Sequence, residues 1–185
     1  PEPTEAGHHL LSDSGVRVAR KDRTGLGGFD ILVPTELLPS IANRLVDAGA
    51  TWIGHSTLEA LRISGARARW PIDGGDKTMV HELAINEEVC NFNKGCYLGQ
   101  EVINRIDVKG QVNKRLSLIV TDGQTDIPIG STVFLDGSKI GTVSSAAPSD
   151  GRAVALAVLW KTAWEPGTEV QIETPNGTVN GSVSG

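Results

Sequence analysis

The sequence predicts an α+β fold: a mixed α/β region followed by a small antiparallel β-barrel. Three observations predict it. From Asn113 onward apolar residues alternate with a period of two in "RLSLIV", "STVFLDGSKIGTVSS", "AVALAVLW" and "TEVQIETPNGTVNGSV", the spacing of strands with two unlike faces. Asp136-Gly137 and Asn176-Gly177 interrupt those runs, and such dipeptides are the strongest short hairpin signals a sequence carries. Before Asn113 the pattern is mixed, with apolar residues at helical spacing between short extended runs. Glycine, at 22 of 185 residues, exceeds the average of roughly 7% and falls mostly in turns.

Taken in order, residues 1–14 are polar and expected to fray. "VRVARKD" and "GFDILVP" read as two short strands joined by the turn-rich "RTGLGG", a hairpin. Thr35 is placed to cap a helix whose Leu37, Leu38, Ile41, Ala42, Leu45 and Val46 follow the i, i+3, i+4 pattern. Pro39 is tolerated there because it lies in the first turn, and Gly49 ends the helix. In "HSTLEALRI" Ser56 and Glu59 stand at capping-box spacing and start a second helix, with Arg62 near its end. Residues 64–78 read as a loop, and "MVHELAINEEV" as a short helix or irregular connector. A helical run follows "NFNKGCYLGQE". The change to all-strand pattern near 107–113 divides the chain into an α+β region, 15–110, and a barrel, 111–185. In "AVALAVLW" Val154, Leu156, Val158 and Trp160 share one face and alanines the other. Such a strand is covered on both faces, with the large side chains expected inside and the small ones opposite.

Hydrophobic residues make up 39% of the chain and charged ones 21%, which excludes disorder as the default state. A net charge of -5 argues against non-specific nucleic-acid binding, which needs a basic surface to displace counterions. No apolar run approaches the roughly 20 residues of a membrane span. Two cysteines, Cys90 and Cys96, make no disulfide framework, so a reducing, cytoplasmic location is expected. Nothing in the sequence sets an oligomeric state.

Candidate chemistry centres on Cys96. Lys94 precedes it, Gln100 and Glu101 follow, and Gly95 and Gly99 let backbone approach a ligand closely. A nearby lysine or helix N-terminus makes a thiol more nucleophilic; the alternative is a small buried hydrophobe. Asp30 ends "TGLGGFD", where a carboxylate can pair in two-pronged fashion with the ring N–H and amino groups of a planar heterocycle, or simply face solvent. Arg62, Arg69, Lys94, Arg105 and Arg115 are candidate partners for an anionic ligand, each also readable as a surface charge. His8 and His9 lie in the polar start, and His55 and His81 are isolated; none defines a metal site. The sequence contains no P-loop, no dinucleotide fingerprint and no local Ser-His-Asp arrangement.

"KGCYLGQE", from Lys94 to Glu101, with Arg105 a few residues on, closely resembles the signature of the YgfZ-type folate-binding proteins, relatives of the glycine cleavage T-protein. "TGLGGFDI" resembles that family's Thr-Gly-x-x-Gly-acidic strand, "LEALRISGA" its Leu-Arg helix end, and the C-terminal strands its barrel. The resemblance implies a tetrahydrofolate-binding accessory to the assembly or repair of iron-sulfur proteins and, through them, to tRNA modification. It implies a working thiol at Cys96, kept reactive by Lys94. It places the pterin-contacting acid at Asp30, commonly glutamate in the family, and counts Arg62, Gln100, Glu101 and Arg105 with the folate-binding set. Folate and iron-sulfur proteins are the implied partners, with no direct nucleic-acid or membrane contact. The T-protein usually has a phenylalanine-like residue in place of the motif cysteine, so Cys96 sides with the accessory branch. A tetrahydrofolate-dependent aminomethyltransferase and a folded remnant without ligand are the alternatives. Relatives also carry roughly a domain more before the point where this chain begins, so half of a site is expected here.

Overall fold

The computed structural model describes residues 8–110 and 112–184. A three-stranded antiparallel sheet opens it: β1 (His9–Leu11), β2 (Arg17–Arg20) and β3 (Phe29–Leu32), in that order. The β2–β3 hairpin is the expected one, with Ala19 opposite Asp30. The expectation of a frayed start is corrected for residues 9–11, which pair with the free edge of β2, Leu10 facing Val18. Residues 1–7 of that segment lie outside the described residues.

A 3-10 turn at Thr35–Leu37 leads into α1 (Leu38–Asp47). Thr35 therefore belongs to the turn and does not cap the helix, whose N-cap position is Leu37 and whose first turn holds Pro39. Next comes α2 (His55–Ser64), with Gly54 at its N-cap and no capping side chain. The Ser56–Glu59 capping box does not form, because Glu59 is drawn to two arginines instead, and charge-assisted bonds outcompete a neutral backbone donor. The connector carries the one-turn α3 (Asn86–Val89), and α4 (Gln100–Lys109) begins within the KGCYLGQE segment and runs between Gly99 and Gly110, both left-handed.

Six strands then close a barrel: β4 (Lys114–Thr121), β5 (Thr132–Leu135), β6 (Ser138–Ser149), β7 (Arg152–Trp160), β8 (Glu169–Thr174) and β9 (Gly177–Ser184), in the order β4-β7-β6-β5-β8-β9. Leu118 of β4 stands opposite Leu156 on one side and Ser184 on the other, which closes the ring. Asp136 and Gly137, with φ of 49° and 75°, form the two-residue turn between β5 and β6 that their sequence predicts. The second hairpin turns one residue earlier than expected. Thr174 faces Gly177, so Pro175 and Asn176 form the loop, proline supplying the fixed φ that a turn's first position favours.

The core sits in the barrel, and the reading of β7 inverts there. Ala153, Ala155, Ala157 and Leu159 pack inward with Ile119, Val133, Val143, Ile172 and Val183. Val154 and Leu156 point outward into a second cluster with Leu116, Leu118 and Ile63 of α2. Both faces are covered, but the small side chains are the inner ones. A narrow six-stranded barrel has room for alanines where it has none for a full set of large residues. Ile63 is 1% exposed; burying such a side chain contributes about 1.5–3 kcal/mol and docks α2 on the barrel wall. Among the described residues, only Ile63 and Leu83 of the buried apolar core come from before the barrel.

Candidate functional site

α2 reaches the barrel through a buried ionic cluster as well as through Ile63. Arg62 is 5% exposed and all five of its N–H donors are used. Nε and one Nη2 hydrogen go to Glu59 at 3.2 and 2.9 Å. Nη1 donates to the Arg67 carbonyl and to Asp73 Oδ2, each at 2.7 Å, and the other Nη2 hydrogen to Ser145 Oγ on β6 at 2.9 Å. Asp73, whose side chain is fully buried, also accepts from the hydroxyls of Ser144 and Ser145 at 2.6 Å and from the Arg69 amide at 2.9 Å. Arg62, expected to help hold a folate, stands in the wall of a concavity with all five donors taken by its own chain.

That wall belongs to a cleft of about 410 Å³ between the Lys21–Arg23 end of the hairpin turn, the middle of α2, the 66–70 loop, residues 83–85 and α3. Its size is that of a small-molecule site. Arg67 and Arg69 supply cations, Glu59 and Glu88 carboxylates, and Leu58 and Trp70 apolar surface. Trp70 is 56% exposed and offers a flat face. Arg67 bridges Glu88 at 2.7 Å and Asp22 at 3.3 Å, tying the turn to α3. Burial works against ionisation of Glu59, but the Arg62 hydrogen bond and the charges of Arg62, Arg69 and His55 more than offset it, so its carboxyl sits below the usual range.

The "TGLGG" turn rests on the end of α2. Asp22 Oδ1 accepts the Thr24 and Gly25 amides at 3.0 and 2.8 Å. A Cβ on Gly65 would stand 1.9 Å from the Thr24 carbonyl oxygen, so only glycine lets the turn close onto the helix. The glycine-rich turn and the Leu-Arg helix end, far apart in sequence, thus form one unit. Asp30 lies beside it on β3, its two oxygens taken by Arg23 Nε and Nη2 at 2.8 and 2.6 Å. The hydrogen bond from Arg23 holds the Asp30 carboxyl below its ordinary value. Arg23, which the sequence reading missed, is 60% exposed at its side chain.

The KGCYLGQE segment is elsewhere on the surface. The lining of the cleft stops at Val89, so Cys96, Gln100, Glu101 and Arg105 are not brought into it with Arg62. Cys96 is exposed, which removes the alternative of a buried space-filler. Lys94 Nζ stands 4.9 Å from the centroid of the Tyr97 ring. Gln100 Oε1 accepts the Tyr97 amide at 3.3 Å, and Leu98 is fully exposed. Among the described residues there is no cluster of three metal-ligating side chains, and no helix is long and apolar enough to cross a membrane.

The small closed barrel of β4–β9 is the part of the chain that matches a known domain. Residues 114–185 match the family model described as the glycine cleavage T-protein C-terminal barrel domain. An aminomethyltransferase of Nostoc sp. is 31% identical over 178 residues, covering 93% of this chain and 47% of that protein. One of Rippkaea orientalis is 28% identical over 158 residues, 84% of this chain and 42% of its own length. The crystal structure of the glycine cleavage system aminomethyltransferase T from Bartonella henselae superposes with a TM-score of 0.82 at 21% identity, covering all of this chain and 53% of that one. The chain spans about half the length of the relatives it matches.

Proposed function

We propose that this chain contributes one side of a tetrahydrofolate site, with the cleft beside Asp30 as the ligand's seat. The observation that carries this reading is the Arg23–Asp30 pair at the mouth of the turn. Arg23 occupies both Asp30 oxygens with the same two-pronged geometry that the ring N–H and amino group of a pterin would use. An exposed ion pair of this kind is worth only about 0–1 kcal/mol, so a pterin can replace the guanidinium at little cost. Arg67, Arg69 and Trp70 then suit the anionic and flat parts of a folate. Calorimetric titration of tetrahydrofolate tests this on the chain alone and on the chain joined to the additional half its relatives carry. Binding is expected at least in the longer protein, weakened by Asp30→Asn and not by Arg23→Ala. Silence in both proteins sinks the reading.

The role we infer is that of a YgfZ-type accessory to iron-sulfur protein assembly or repair, and the support for it is the exposed thiol in an intact KGCYLGQE motif. Loss of rescue of an iron-sulfur enzyme with Cys96→Ala is the expected result. Folate-dependent aminomethyl transfer is the second reading, favoured by the names of the relatives. Formation of methylene-tetrahydrofolate from a loaded lipoyl carrier, unaffected by Cys96→Ala, decides for it.

A further inference from the structure

A second cleft, of about 560 Å³, opens on the outside of the barrel between the connector ahead of α3 and strands β4, β6 and β7. Lys77 reaches it from the connector, Lys114 from the start of β4 and Lys139 from β6, with Trp160 at the end of β7. Strand register sets Lys114 opposite Trp160, its Nζ 5.0 Å from the ring centroid. Trp160 is 45% exposed, one of two large apolar residues of the barrel to be so open among the described residues.

This wall gathers three lysines around a single carboxylate. Lys21, Arg23, Arg62, Arg67 and Arg69 each have a carboxylate partner. Lys77, Lys114 and Lys139 have none among the described residues. The carboxylate that also lines the cleft, Glu82, is turned to its own connector, where Oε2 accepts the Met79 amide at 2.9 Å. Three ammonium groups without a carboxylate partner thus line one concavity. Like charges gathered on a concave wall raise the local potential and draw in anions. Ammonium groups act on phosphate as adaptable point charges, and the indole face that Lys114 does not cover can stack on a planar ring.

We propose that this cleft binds a small polyanion that carries a flat ring, the chemistry of a nucleoside polyphosphate. Lys77, Lys114 and Lys139 take the anionic end, and Trp160 takes the ring. The volume is that of a small-molecule site, and the acidic character of the rest of the chain disfavours a long nucleic acid. The site is separate from the folate cleft and stands or falls independently of it.

Calorimetry with adenosine triphosphate and with inorganic triphosphate, at low and high salt, tests the assignment. Both ligands are expected to bind saturably and more weakly at high salt, with the nucleotide the tighter. Lys77→Gln combined with Lys139→Gln should weaken both by about tenfold or more. Trp160→Leu should reduce the nucleotide to the level of inorganic triphosphate and leave the latter unchanged. These side chains are exposed, and thermal unfolding confirms that the variants keep the fold. Absence of saturable binding, binding indifferent to the lysine pair, or a response to an acidic peptide but not to triphosphate overturns the proposal.

Discussion

Replacing Arg62 by methionine keeps the length of the side chain and removes the guanidinium that joins α2, the 66–73 loop and β6. Five hydrogen bonds disappear together. The decisive loss is at Asp73, whose fully buried carboxylate gives up the one cation paired with it among the described residues. Removing one partner of a buried pair costs about 3–5 kcal/mol, because the other charge stays behind without compensation. Asp73 keeps three donors, from Ser144, Ser145 and the Arg69 amide, and Glu59 keeps Arg69. The lower end, about 3 kcal/mol, is therefore expected. For a chain of this size that lowers the midpoint of thermal unfolding by roughly 6–12 °C. Chemical unfolding followed by circular dichroism measures it. Adding Asp73→Leu should recover about 1 kcal/mol or more, since the stranded charge leaves with its partner. A single Arg62→Met variant within about 1 kcal/mol of the parent, the range of an exposed pair, refutes the view that Arg62 holds the two regions together.

Three further outcomes follow from the same geometry. Gly65→Ala places a methyl against the Thr24 carbonyl and should cost about 1–3 kcal/mol, with faster hydrogen exchange at the Gly25 amide; unchanged exchange there would separate the turn from the helix end. Ala157→Leu, inside the barrel and 0% exposed, should destabilise by about 1–3 kcal/mol through overpacking, whereas Val158→Leu on the outer face should fall within about 0.5 kcal/mol. Asp30 and Glu59 both have carboxyls held below their ordinary values of 3.8 and 4.5. Their contribution is therefore complete above pH 4.5 and lost as pH falls through the lower folded values. Urea midpoints should decline on acidification below that point, less steeply in Asp30→Asn with Glu59→Gln; a midpoint that rises on acidification contradicts the sign.

The barrel was legible because its signals are local. Asp136-Gly137 fixes a hairpin within four residues, and the alternation of β7 declares two covered faces. Which face is inner was not legible, since that depends on the strand number of the closed ring and the room it leaves. Glu59 shows the other limit. Three residues after Ser56 it has the spacing of a capping box, but Arg62 and Arg69 compete for the same oxygens, and the second of these arrives by way of a loop that spacing does not reveal. Arg23 escaped notice for a related reason: its partner is seven residues away across a turn whose closure depends on Gly65. Asp73, the anchor of the ionic cluster, sits in "PIDGG" with nothing beside it to mark a buried charge.

The first half of the chain was legible as elements and much less as a fold, and α1 shows why. Its Leu38, Leu45 and Val46 repeat at helical spacing, the pattern of a face meant for burial, yet none of its residues is buried and these three are 53%, 40% and 43% exposed. Leu11 and Leu32 of the first sheet, at 60% and 56%, are open as well. A periodic stripe identifies a helix; only the surface it packs against makes it part of a core. The barrel is not that surface, for it is already closed and reaches this region mainly through α2. The solved aminomethyltransferase T that shares this fold carries nearly as much chain again beyond the part matched. The same asymmetry runs through the candidate site: Arg23, Arg67 and Trp70 line one cleft, with Asp30 paired to Arg23 behind it, while the KGCYLGQE motif lies outside that lining.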